Sequence, residues 1–155
     1  MNPVSVEMIL ARKREEIAEL RADTSWAARV RSRERRNFRQ AIAIPGLSVI
    51  AEIKRSSPST GDLRVNIDML LEAYIAAGVD ALSILTDSHF GMNAAELERL
   101  SAKTNLPIRR KDFTLSKEQI DEALILGADA ILLIATFLSA AELKSLGDHA
   151  DSLGL

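Results

Sequence analysis

Two stretches of this chain repeat one another. Ala77-Gly78-Val79-Asp80-Ala81-Leu82 and Leu126-Gly127-Ala128-Asp129-Ala130-Ile131 each join a helical pattern to a short apolar run, and Leu153-Gly154-Leu155 starts a third echo. A glycine just past a helix can take the left-handed conformation that stops it. The apolar runs are too short for buried helices and read as strands. Strands are expected at 48–53, 81–85, 108–110 and 130–134, and helices near 68–77, 94–103, 116–126 and 139–152. Such alternation is the pattern of βα units on a parallel sheet, which places the chain in the α/β class.

Ahead of the first strand, residues 5–21 form an amphipathic helix. Ser5 stands as N-cap, Glu7 lies in the first turn, and Ile9, Leu10, Ile17 and Leu20 recur at helical spacing. Then come six arginines in the eleven residues 29–39. They could form an RNA or phosphate patch. The absence of aromatics for base stacking favours instead the solvated face of a second helix, with Val30 and Phe38 turned inward.

A net charge of −2 also argues against a nucleic-acid binder. With no cysteine and only two isolated histidines, His89 and His149, disulfide, thiolate and zinc chemistry are not expected. No apolar run approaches the roughly 18 residues of a membrane span, and no signal peptide is evident. A cytoplasmic protein with no membrane partner is expected.

The chemistry concentrates at two strand ends. In Val49-Ile50-Ala51-Glu52-Ile53-Lys54 the side chains alternate, so Ile50, Glu52 and Lys54 share one face. Burying such charges unpaired is costly, so they form either a structural ion pair on a wet face or a site. The run that ends in Arg109-Arg110-Lys111-Asp112-Phe113 again places a lysine where strand gives way to loop. Two lysines at successive strand ends suggest convergence on an anionic substrate.

Four motifs in order carry a resemblance. They are Ile50-Ala51-Glu52-Ile53-Lys54 with Ser57-Pro58-Ser59, Ser83-Ile84-Leu85-Thr86-Asp87, Arg110-Lys111-Asp112-Phe113, and Gly127-Ala128-Asp129-Ala130-Ile131-Leu132-Leu133-Ile134. In wording and spacing they resemble indole-3-glycerol-phosphate synthase over essentially the whole chain. The resemblance implies a (β/α)8 barrel, the TIM-barrel fold. A closed barrel of this kind needs about 200 residues or more. The 155 residues are therefore expected to hold an N-terminal helical extension (1–47) and the first four βα units (48–155), a half-barrel.

The implied reaction is ring closure of 1-(2-carboxyphenylamino)-1-deoxyribulose 5-phosphate to the indole, with loss of carbon dioxide and water. It is a carboxy-lyase step of tryptophan biosynthesis that uses no cofactor or metal. By resemblance Lys111 is the general acid, a role suited to a lysine of lowered pKa in a half-buried pocket. Lys54 contacts the carboxylate or phosphate, and Glu52 pairs with and orients the lysines. Ser57 helps hold an anion. Phe90, Phe113 and Leu132 form an apolar wall for the aromatic ring, although Phe113 and Leu132 could equally be core.

Three departures stand out. Arg109 occupies a usually apolar position and shares a face with Lys111, Thr60 stands where a lysine is usual, and the second loop reads Phe90-Gly91-Met92-Asn93. In the family, strands five and six supply a further glutamate and an asparagine, and strands seven and eight the main phosphate loops. The isolated chain is therefore expected to be inactive until a complementary half-barrel or a second copy completes it. The alternative is a non-catalytic, self-associating half-barrel scaffold.

Overall fold

The computed structural model describes residues 5–31, 33–57 and 61–155. Helix α1 (Val6–Ala22) starts as expected, with the Ser5 hydroxyl accepting the Met8 N–H at 3.3 Å. The expected second helix over the arginine-rich segment does not form. Residues 29–36 are extended or bent where described, and only Phe38–Ile42 is helical (α2), capped by Asn37. Phe38 is buried as expected, but Val30 is 88% exposed.

Four strands follow, β1 (Ile50–Ile53), β4 (Ala81–Leu85), β5 (Ile108–Lys111) and β6 (Ala130–Ile131), parallel and adjacent in chain order. Helices α3 (Ile67–Ala76), α4 (Ala94–Ser101), α5 (Lys117–Ile125) and α6 (Ala140–Leu153) alternate with them. These are four successive βα units of barrel type. The last strand is shorter than expected, and among the described residues it has a partner on one side only. The first βα connection adds a small antiparallel pair, β2 (Ser56–Ser57) with β3 (Gly61–Asp62). Pro58, Ser59 and Thr60, and with them the motif's tail and the Thr60 departure, lie outside the described residues.

The core lies between sheet and helices. Ile53, Leu82, Ile84 and Ile108 point outward from the strands onto Ile67, Leu71, Leu97, Leu100 and Leu126. Helices α5 and α6 share a second cluster around Ile120, Leu146 and Ala150. The opposite faces carry Glu52, Ser83 and Arg109 in one register row, with Leu85 beside Lys111 a layer further along.

The Gly-x-Asp echo does two jobs. Gly78 and Gly127 adopt φ of 71° and 99°, which ends each helix. The aspartates then hold the neighbouring strand: Asp80 accepts the Val49 N–H at 2.7 Å, and Asp129 accepts the Ile108 N–H at 3.0 Å. A Cβ on Gly127 would also lie 2.8 Å from Ser101 Cβ. Gly127→Ala is thus expected to cost about 2–4 kcal/mol, combining left-handed strain with overpacking, read as a lower urea midpoint with unchanged slope.

Four of the arginines, Arg31, Arg33, Arg35 and Arg36, form a strap rather than the face of a helix. Arg31 donates to the carbonyls of Leu124 (2.9 Å) and Ala128 (2.5 Å), and Arg33 to that of Ser101 (3.0 Å). Arg36 reaches the Thr104 carbonyl (3.0 Å), and Arg35 that of Leu153 (2.7 Å). These carbonyls lie at or just beyond the C-terminal ends of α4, α5 and α6, where helices leave acceptors unsatisfied and carry partial negative charge. Arg31 and Arg33 also pair with the fully buried Asp129 carboxylate. A segment spent on carbonyls across several elements gains nothing from forming its own helix.

Candidate active site

Glu52 and Lys54 leave the end of β1 on one face, as strand alternation demands, and Lys111 leaves the end of β5 toward them. One Glu52 oxygen accepts from Lys54 Nζ at 2.7 Å, and the other accepts from Lys111 Nζ. All three side chains are roughly a quarter to a third exposed. Burial pushes the Glu52 carboxyl up, but the hydrogen bonds and charges of Lys111 and Lys54 outweigh it and hold the group below the usual carboxylate range. Near neutral pH this is one carboxylate bracketed by two ammoniums, a site with surplus positive charge facing solvent.

These three groups open onto a cleft of about 250 Å³. It is lined by Glu52, Lys54, Ser57, Phe90, Lys111, Phe113 and Leu132, all seven residues singled out from the sequence, and by Leu85, Asp112 and Ile134 besides. Leu85 and Ile134 were missed although parity could have found them: Leu85 lies two residues beyond the inward Ser83, and Ile134 lies two beyond Leu132. Phe113 and Leu132 line the cleft rather than filling the core, and the Phe113 ring tilts against Phe137 at a centroid distance of 5.5 Å. Apolar walls with a few convergent charges are the usual make-up of a small-molecule site.

The altered second loop has a local explanation. Asp87 caps a single helical turn, Ser88–Phe90, by accepting the His89 N–H at 2.8 Å. Gly91 closes the turn at φ 71°, Met92 plugs the core at 1% exposure, and Asn93 caps α4. The turn thereby delivers Phe90 to the cleft. Arg109 shares the inner face with Lys111 as expected, but its guanidinium donates to the Ser83 hydroxyl at 3.0 Å and does not line the cleft. Among the described residues no cluster of metal-ligating side chains occurs, and no helix is long and apolar enough to cross a membrane.

The family model for indole-3-glycerol phosphate synthase matches residues 6–155. Among curated relatives, the indole-3-glycerol phosphate synthase of Geobacillus kaustophilus is 41% identical over 155 residues, which cover 97% of this chain and 58% of that protein. That of Koribacter versatilis is 46% identical over 126 residues, 77% of this chain and 48% of its own length. The chain thus spans about half the length of the relatives it matches. With the motifs, the parallel βα units and a match over nearly every residue in agreement, this chain belongs to the indole-3-glycerol phosphate synthase family.

Proposed function

We propose that these residues form the first-half portion of a site that closes the indole ring of 1-(2-carboxyphenylamino)-1-deoxyribulose 5-phosphate, releasing carbon dioxide and water. The observation that carries the proposal is the Lys54–Glu52–Lys111 bracket at the mouth of an apolar cleft. Ring closure requires a proton at the substrate carbonyl as the aromatic carbon attacks it, and the Lys111 ammonium is aimed to deliver one. Lys54 holds the substrate's carboxylate or phosphate by charge, with Ser57 on the adjoining loop as a further contact. Glu52 orients both lysines and takes part in moving protons during dehydration. Phe90, Phe113 and Leu132 flank the aromatic ring.

The relatives extend well beyond the matched stretch. We propose that turnover requires the strands they carry there, supplied by a complementary half-barrel. Self-association without catalysis is the second reading. It is favoured by β1 and β6, which each pair on one side only among the described residues, and by the exposure of Val49 and Ile50 at the start of β1. One experiment separates the two. The 155-residue chain is given the substrate alone and then refolded with the C-terminal portion of the Geobacillus kaustophilus relative, and indole fluorescence is followed. A rise only on mixing is the expected result. A rise from the chain alone would remove the need for a second half, and silence in both arms would leave the scaffold reading.

A further inference from the structure

Lys13 is the one buried lysine among the described residues, at 1% exposure on α1. An ammonium that deep costs several kcal/mol of desolvation unless carboxylates surround it. Three do: Glu16 and Asp112 at 2.8 Å, and Asp87 at 3.2 Å. The last two are the informative ones.

Asp112 follows Lys111 directly, and it accepts its own loop's Phe113 N–H at 2.8 Å through the oxygen that meets Lys13. Its other oxygen takes the Thr86 hydroxyl at 2.5 Å and Arg110 at 3.2 Å. Arg110 is anchored in turn by Glu122 at 2.7 Å. Asp87 uses Oδ1 to cap the turn that delivers Phe90, while its Oδ2 has no hydrogen bond of good geometry among the described residues and faces the Lys13 ammonium. One cation from the N-terminal helix therefore ties down the two strand ends that present Lys111 and Phe90. Without it, two fully buried carboxylates would share one space with a charge too few, and their loops would have to move or take up a proton.

We propose that Lys13 is a positioning residue of the cleft, holding Lys111 in line with Glu52 through Asp112 and holding the Phe90 turn through Asp87. The helical extension is on this account part of the site. The catalytic consequence rests on the ring-closure reading above, but the placement of Lys111 does not, and it can be read without turnover.

The test is nuclear magnetic resonance on the 155-residue chain carrying lysine labelled with carbon-13 at Cε. The Lys111 signal is identified by its loss in Lys111→Met, and the exposed Lys144 serves as the remote reference. In Lys13→Met the Lys111 Cε resonance is expected to move from its wild-type position while Lys144 stays put. If Lys13→Met does not fold, Lys13→Met with Asp87→Asn restores the charge balance. That chain is expected to fold with Lys111 still displaced, because Asp112 still lacks its ammonium. A Lys111 signal identical to wild type in either folded variant would overturn the proposal and make Lys13 a structural pin.

In the complemented enzyme, kcat is expected to fall about a hundredfold with KM little changed, as a small misplacement of a reacting group does. If the resonance moves but no preparation turns over, Lys13 still positions Lys111 and it is the ring-closure reading that falls.

Discussion

Asp129→Ala is expected to destabilise the chain by about 3–5 kcal/mol, the range seen when one partner of a buried ion pair is removed. The carboxylate is fully buried and meets Arg31 and Arg33, whose side chains are 12% and 7% exposed. It also accepts the backbone N–H groups of Arg36 at 2.9 Å and Ile108 at 3.0 Å. Burial pulls the Arg33 guanidinium down to about 10, with Asp129 opposing the fall. Removing Asp129 would strand two desolvated guanidiniums and two amides together. Against a typical stability of about 5–15 kcal/mol, such a loss shows as poor soluble yield or a strongly lowered urea midpoint. Asp129→Asn keeps acceptors for the amides but loses the charge, so its cost should fall between wild type and alanine. A loss below about 1 kcal/mol for alanine would mean that the strap contributes nothing at this point.

Lys111→Met carries the largest expected effect on activity. In the complemented enzyme, kcat should fall by about 10²–10⁴-fold, the usual contribution of a positioned proton donor. The fold should survive, since the side chain is about a third exposed and faces the cleft. Lys54→Met provides the contrast. If its ammonium holds a substrate anion in ground state and transition state alike, its loss raises KM and leaves kcat nearly untouched. Steady-state kinetics on both variants, followed by indole fluorescence, decide the assignment. Equal losses in kcat for the two would mean that the lysines do not divide the work in this way.

Much of the site was legible because strand parity is a local rule. Once residues 48–53 are taken as a strand that runs on into Lys54, Glu52 and Lys54 must share a face, and the same holds for Arg109 and Lys111. The order of the motifs then brings those faces to the same end of a parallel sheet. The arginine segment was misread for the opposite reason. Helical periodicity gave Val30 and Phe38 an inward face, but the partners of Arg31, Arg33 and Arg36 are carbonyls and a carboxylate roughly 70 to 100 residues away, and no window of sequence contains them. Lys13 shows the same limit. Its spacing of four from Ile9 and Ile17 puts it on the buried stripe of α1, yet a lone lysine there reads as a flaw in an amphipathic pattern until the carboxylates opposite it are seen.

The sequence by itself determined the βα units, the glycines that end their helices, the Ser5 cap of α1 and the faces on which Glu52, Lys54 and Lys111 lie. Each follows from backbone sterics or side-chain alternation over a few residues. Only the tertiary structure decided that Asp80 and Asp129 hold neighbouring strands, that the arginines close the ends of three helices, and that Lys13 reaches the loops of the cleft. Those outcomes depend on buried charge, which is stable only where distant groups of opposite sign meet away from water.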